Sequence, residues 1–154
     1  MKSVITFIII LFVSLSAQDV KETKKIGFDT TANPAMDLKT AIVQAKKEKK
    51  NIILDVGGEW CIWCHRLHEF IEANNNIKTL LEKNYVVVKV NFSKGNKNEA
   101  FLKDYPKIPG YPHLFVLNRS GKLLHSQDTG LLEKEKSYDA QKLMSFLKKW
   151  AKKK

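Results

Sequence analysis

From residue 37 onward, the chain alternates between apolar patterns typical of helices and of strands. Helical spacing of apolar residues recurs at 38–50, 64–73, 77–81, 99–105 and 139–150. Short apolar runs rich in β-branched residues predict strands at 51–56, 85–92, 113–117 and 122–125, the last paired back through a glycine-containing turn. This alternation predicts an α/β fold with a central mixed β-sheet and helices on both faces.

The N-terminus has the order of residues that is typical of a secretory signal. Lys2 precedes an apolar run from Val4 to Val13, and small residues follow up to Ala17. That run is about half the length needed to span a bilayer, so a cleavable signal is favoured over a membrane anchor. We therefore expect a signal peptide over 1–17, a lead-in over 18–36 and a domain over 37–154, with the protein periplasmic or secreted.

Composition narrows the class of partner. The 154 residues suit one domain, and the formal net charge is +11. Only Arg66 and Arg119 are arginines among the 27 basic residues. Because arginine recognises phosphates and base edges better than lysine does, we do not expect nucleic acid as a partner. With only two cysteines, a multi-disulfide scaffold and a four-cysteine zinc site are excluded, and we predict no metal site.

The two cysteines, Cys61 and Cys64, lie where a predicted strand gives way to a predicted helix. The free N–H groups and the positive dipole end of that helix favour a thiolate at Cys61. Cys64, one helical turn further on, is within disulfide reach and is expected to be more enclosed. The position therefore favours a redox pair in which Cys61 attacks a partner's disulfide and Cys64 resolves the mixed disulfide.

Other interpretations of this motif stay open. An inert disulfide would close so short a loop that it would stabilise the fold little. Cys61-x-x-Cys64-His65 also fits the attachment pattern of c-type haem, with Met36 or Met144 as the second axial ligand. Against haem, the motif follows a strand in a strand-rich chain, whereas small c-type cytochromes are mainly helical. A third possibility is a redox-inert binding module.

The segment from Asp55 to Cys64 contains a Trp-Cys-x-Trp-Cys core and resembles the active-site segment of the thioredoxin superfamily. It is most similar to exported thioredoxin-like proteins and to the C-terminal domain of transmembrane thiol:disulfide interchange proteins. The resemblance covers about residues 37–154. It implies a thioredoxin-like three-layer sandwich and a thiol–disulfide oxidoreductase that uses no cofactor beyond its redox-active disulfide.

The resemblance also implies roles for residues around the disulfide. Asp55, six residues before Cys61, matches a buried carboxylate that can take the proton of Cys64 as it attacks, because desolvation favours the protonated acid. Lys89 matches a lysine on the next strand that moderates this carboxylate. Pro112 matches the cis-proline that faces the disulfide.

Residues flanking the motif are candidates for partner contact. We expect Trp60 and Trp63 to form an apolar rim, and the backbone of Tyr111 to pair with an extended substrate chain. Glu59 is expected to face solvent, and a charged His65 would favour the neighbouring thiolate. In a redox-inert module, the same three aromatic residues would form the binding surface.

Two positions that influence the direction of electron flow differ from the common forms of the family. Ile62-Trp63 between the cysteines is neither the Gly-Pro pair of typical reductants nor the Pro-His pair of typical oxidants, and Tyr111 replaces the usual threonine or valine. The resemblance favours a monomeric reductant of protein disulfides. A membrane-embedded or periplasmic redox partner would keep it reduced.

Overall fold

The structure is a computed structural model that describes residues 25–151, so the predicted signal peptide at 1–17 lies outside the described residues. The helices are α1 (Pro34–Glu48), α2 (Ile62–Ala73), α3 (Asn75–Asn84), α4 (Glu99–Leu102) and α5 (Ala140–Trp150). The strands are β1 (Asn51–Gly57), β2 (Tyr85–Asn91), β3 (His113–Leu117), β4 (Leu123–Asp128), β5 (Glu133–Lys134) and β6 (Ser137–Tyr138). Within the described range, no helix is long and apolar enough to cross a membrane.

Four strands form the central sheet in the order β2–β1–β3–β4, and β5 and β6 form a separate small hairpin. Strand β1 runs parallel to β2 and antiparallel to β3, which in turn pairs antiparallel with β4. Helices α2 and α3 make the crossover that two neighbouring parallel strands require. The predicted mixed sheet with helices around it is confirmed.

Two apolar clusters fill the space on the two sides of the sheet. Ile53, Leu114 and Val116 face one cluster, which packs under α2, α3 and α5. Leu54 and Phe115 alternate with them and face the other cluster, which packs under α1. All seven residues of β1 are buried, so the end of this strand is a rigid support for the residues that follow it.

Helix α1 begins earlier than predicted. It begins at Pro34, whereas the sequence pattern placed its start near Asp37. The side chain of Asn33 accepts hydrogen bonds from the backbone N–H groups of Ala35 and Met36, and proline suits the first helical position. The cap therefore adds a turn that the apolar spacing alone does not reveal.

The chain departs from prediction in two further places. Helix α4 ends at Leu102, three residues before the predicted end at Tyr105, which Pro106 disfavours as a helical residue. The β5–β6 hairpin was not predicted, since two-residue strands carry no periodic signal. Tyr138 of this hairpin meets the ring of Trp63 edge-on, with 5.8 Å between ring centres, so the hairpin supports α2.

Candidate active site

Cys61 and Cys64 form a disulfide at the start of α2, with their Cα atoms 5.2 Å apart. Cys61 is the N-cap of the helix, and its Sγ accepts the backbone N–H of Cys64 at 3.1 Å. Its sulfur therefore lies where the free N–H groups and the helix dipole favour negative charge. Both residues are buried, Cys61 being 4% exposed and Cys64 2%.

The disulfide lies directly against the end of β1. A Cβ atom built on Gly57 would stand 2.5 Å from Cys64 Sγ and 3.1 Å from Cζ of Phe28. In real structures, a Cβ atom does not lie as close as 2.5 Å to another heavy atom. Glycine at this position is therefore what lets the strand and the disulfide touch.

A partly buried ion pair involves Asp55, two residues before Gly57. Asp55 of β1 and Lys89 of β2 are register partners, and Lys89 Nζ donates to Asp55 Oδ2 at 2.6 Å. The other carboxylate oxygen, Oδ1, is buried and makes no hydrogen bond to any residue of the described chain. Because side chains alternate along a strand, Asp55 shares the face of Ile53, which α2 covers. One oxygen of the acid is thus paired with Lys89, and the other has no hydrogen-bond partner among the described residues.

The loop before β3 lies on the other side of the disulfide. The register of β3 against β1 places Pro112 beside Gly57, and the peptide bond between Tyr111 and Pro112 is cis. The buried hydroxyl of Thr129 donates to the carbonyl oxygen of Pro112 at 2.5 Å. This hydrogen bond ties the loop to the 3₁₀ turn that follows β4.

Three aromatic side chains, Trp60, Phe92 and Tyr111, form a surface that we call the aromatic ledge. The Tyr111 ring stacks on Phe92 at 4.8 Å and meets Trp60 edge-on at 5.7 Å. Trp60 Nε1 also donates to the carbonyl of Phe92 at 2.6 Å. Trp60 is 58% exposed and borders an open groove of about 490 Å³, which Lys94 and Lys97 also line. The ledge therefore presents apolar area with positive charge beside it.

Trp63 does not share this exposed surface. Its ring packs against the core cluster under α2 and lies beneath the guanidinium of Arg66, which is 4.5 Å from the ring centre. The hydroxyl of Tyr138 donates to the Trp63 carbonyl at 3.3 Å. Of the two tryptophans predicted to form an apolar rim, Trp60 lies at the rim and Trp63 anchors the helix.

Glu59 does not simply face solvent, as the sequence had suggested. Its carboxylate accepts hydrogen bonds from the backbone N–H groups of Ile26 and Phe28, at distances from 2.8 to 3.1 Å. Burial by itself would raise the pKa of Glu59, but these backbone hydrogen bonds outweigh it and hold the pKa below its usual value. His65 Nε2 lies 2.8 Å from the backbone carbonyl oxygen of Glu59, so the imidazole supports the same loop.

Sequence reasoning missed residues that reach the site from far along the chain. Ile26 and Phe28 form a buried cluster with the two cysteines, although they belong to the segment treated as a lead-in. Thr129 lies 17 residues from the proline that it contacts. Their one signal was a pair of apolar residues, 26 and 28, in a mostly polar stretch.

The groups gathered at the end of β1 suit sulfur chemistry. The cysteine pair can open to two thiols and close again, and a carboxylate with a free oxygen lies on the face of the sheet that α2 covers. Among residues 25–151, no three histidine, cysteine or acidic side chains are grouped so that they could hold a metal ion. The arrangement thus brings a cysteine pair and a half-paired carboxylate to the same end of β1.

Comparison with known proteins identifies related sequences and folds. The model of the Thioredoxin-like domain family matches residues 38–144. The thiol:disulfide interchange protein DsbD of Vibrio cholerae is 22% identical over 123 residues, which are 79% of this chain and 20% of that protein. The disulfide bond reductase DsbH of Chlamydia pneumoniae is 28% identical over 93 residues, 54% of this chain and 55% of that protein. The chain thus spans about a fifth of the first relative and about half of the second.

The same fold is found among solved structures. The disulphide isomerase from Xylella fastidiosa Temecula1 superposes with a TM-score of 0.69 and 24% sequence identity. The match covers 82% of this chain and 97% of that one. At this identity the likeness establishes the fold, including the four-stranded sheet and its flanking helices.

Proposed function

The chain belongs to the thioredoxin-like family, and from that membership we propose that it is an exported thiol–disulfide oxidoreductase acting on protein partners. The Cys61–Cys64 pair at the N-terminus of α2 is the observation that carries the proposal. The names of the two curated relatives, an interchange protein and a disulfide bond reductase, support the same type of reaction. The disulfide is the redox group, and the reaction requires no cofactor.

In the reducing direction, the protein starts with two thiols, and the Cys61 thiol loses its proton to solvent. The Cys61 thiolate attacks one sulfur of the partner's disulfide and forms a bond to it, and the other partner sulfur leaves as a thiolate that takes up a proton. Cys64 then gives its proton to Oδ1 of Asp55 and attacks Cys61 Sγ, and the second partner sulfur leaves with the electron pair of the broken bond. That thiolate takes up the second proton from solvent, and Asp55 returns its proton to solvent. Two electrons and two protons pass to the partner, and the Cys61–Cys64 disulfide is formed.

The surroundings of the pair support distinct roles in this sequence. Lys89 balances one oxygen of Asp55 and so leaves the other for the proton. The backbone of Tyr111, next to Pro112, offers an extended partner chain a strand-like pairing edge. The exposed ring of Trp60 adds apolar contact area beside it.

The contacts of His65 favour this reaction over haem attachment. A c-type site would need a ring nitrogen of His65 for the iron, and Nε2 instead lies 2.8 Å from the Glu59 carbonyl oxygen. An absorption spectrum separates the two functions when the protein is made in a host able to attach haem. A Soret band would overturn the thiol assignment.

We propose the reducing direction, a membrane-embedded or periplasmic partner that restores the dithiol, and a monomeric protein. Equilibration with glutathione buffers tests the direction. A reduction potential of about −270 mV supports a reductant, and one of about −120 mV contradicts it. N-terminal sequencing of the exported protein tests cleavage after Ala17.

Trapping the mixed disulfide tests the reaction itself. The Cys64→Ser variant lacks the resolving thiol, so with a disulfide-containing protein substrate it should accumulate an adduct at Cys61 that dithiothreitol removes. The matched Cys61→Ser variant keeps Cys64 and should form none. Exchange at full rate by Cys61→Ser, or no adduct with Cys64→Ser, would contradict the proposal. If Cys61→Ser instead keeps partner binding and the phenotype of the host, a redox-inert binding module is indicated.

A further inference from the structure

The segment before α1 lies against the disulfide. Residues 26–28, which we call the strap, contribute Ile26 and Phe28 to a buried cluster with Cys61 and Cys64. Ile26 is 6% exposed and Phe28 is 4% exposed, close to the 4% of Cys61 and the 2% of Cys64. The strap is thus buried together with the site that it covers.

One carboxylate holds the strap in place. Glu59 lies in the loop between β1 and Cys61, and its two oxygens accept the N–H groups of Ile26 and Phe28. Hydrogen bonds to an ionised acceptor are about twice as strong as neutral ones. Because Glu59 stays ionised at neutral pH, these hydrogen bonds keep their full strength at that pH.

Phe28 covers one particular side of the site. Its Cζ and Cys64 Sγ both lie within 3.1 Å of the point where a Cβ on Gly57 would stand, so ring and sulfur meet above the same glycine. Lys89 Nζ, the partner of Asp55, lies 4.7 Å from the centre of the Phe28 ring. The ring therefore lies against both the resolving sulfur and the ion pair.

The two residues that flank Cys61 in the sequence are exposed. Trp60, directly before Cys61, is 58% exposed, and Ile62, directly after it, is 59% exposed. These two side chains offer a partner contact area next to Cys61 that does not belong to the strap. The two cysteines are similarly buried, but Phe28 of the strap lies against the sulfur of Cys64, whereas exposed residues flank Cys61.

We propose that Glu59 is a positioning residue that clamps the strap over Cys64 and so confines attack by external sulfur to Cys61. This inference rests on the proposed function and adds its site selectivity. When an outside thiolate opens the disulfide, it bonds to one sulfur and the other leaves with the electron pair as a thiolate. With the strap closed, the attacked atom is Cys61 Sγ and the leaving thiolate is Cys64, the order that keeps Cys64 available for resolution.

Site-resolved alkylation of the reduced full-length protein tests this proposal. Limiting iodoacetamide is added at neutral pH, and fragment ions of the tryptic peptide that contains both cysteines give the ratio of Cys64 to Cys61 labelling. We expect Glu59→Gln and Phe28→Ala to raise this ratio about tenfold, because each weakens the closed state. Phe28→Leu should restore the low ratio, since leucine still fills the site. Glu69→Gln makes the same charge change at an exposed position of α2 and should leave the ratio unchanged.

The ratio separates positioning from general stability. Equal ratios in the wild type, Glu59→Gln and Phe28→Ala would overturn the proposal, and so would a rise of both labelling rates by the same factor, which would mean that the strap only stabilises the fold. The assay needs no partner. A changed ratio in a protein that fails to exchange disulfides would therefore sink the proposed function alone, and normal exchange with an unchanged ratio would sink the strap alone.

Discussion

Replacing Thr129 by valine should weaken both the fold and partner docking. The Thr129 hydroxyl donates to the carbonyl of Pro112, and the residue is only 2% exposed. Valine has nearly the same shape but no donor, so the carbonyl would lose its partner at a site that water does not reach. The perturbation therefore removes the hydrogen bond to Pro112, together with the polar contact between the Thr129 and Tyr138 side chains, and leaves the packing in place.

The size of the effect follows from that burial. Leaving a buried acceptor unpaired costs about 1–3 kcal/mol. With a urea dependence of about 1–3 kcal/mol per molar, the unfolding midpoint should fall by about 1 M. Because the Pro112 loop lies beside the disulfide, we also expect the KM for a protein disulfide to rise up to about tenfold, the factor that corresponds to 1.4 kcal/mol. The alkylation rate of Cys61 should not change.

Two measurements check this prediction. Tryptophan fluorescence follows urea unfolding, and steady-state reduction of a protein disulfide gives kcat and KM separately. The Thr129→Ser variant keeps the hydroxyl and should retain a KM close to that of the wild type. Identical urea midpoints for valine and wild type would refute the reasoning, as would a serine variant with the same loss of docking as valine.

Three further changes test other contacts of the fold. Gly57→Ala places a methyl group 2.5 Å from Cys64 Sγ and should destabilise the oxidised protein by about 1–3 kcal/mol in urea unfolding, whereas Gly95→Ala, which meets nothing within 4 Å, should show no such steric cost. Tyr85→Phe removes a 2.7 Å hydrogen bond to a carbonyl of α5 and should cost about 1 kcal/mol in the same assay. Burial lowers the pKa of His113, although the charge of nearby Asp128 opposes this, so at acidic pH the unfolded chain binds a proton that the folded chain does not. Stability should therefore decline as the pH falls below about 6.5, and His113→Gln should flatten that decline in thermal melts at pH 5 to 7.

The central strands could be predicted because the apolar residues within each strand indicate that it is buried. β3 has the predicted bounds, 113–117, and β1 and β2 each differ from prediction by one residue. These strands are mostly buried and rich in apolar and β-branched residues, which a local window detects. The start of α1 and the β5–β6 hairpin could not be predicted in this way, because a side-chain cap and two-residue strands leave no periodic trace.

The candidate site likewise contains residues that could be predicted from the sequence and contacts that could not. Asp55, the cysteine pair and Lys89 lie within or directly beside predicted elements, and the resemblance to the thioredoxin superfamily assigned Asp55 and Lys89 to the surroundings of the cysteine pair. The contacts of Glu59 and Thr129 depend on where distant segments return, 31 to 33 residues away for the strap and 17 for the Pro112 loop. Such pairings are set by the tertiary fold, so Glu59 looked like an ordinary solvated acid.

The pairing register of β1 is what brings the parts of the site together. Side chains alternate along a strand, so Asp55 and Gly57 share one face of β1, and Glu59 lies two residues further on in the turn that follows the strand. The ring of Phe28 lies against Lys89, the register partner of Asp55, and close to Gly57, and its N–H bonds to Glu59. A slip of one residue in the pairing of β1 with β2 would turn both strand positions to the opposite face. The ion pair with Lys89 and the close approach of Gly57 to Cys64 Sγ would then be lost together, so the register fixes the site as well as the core.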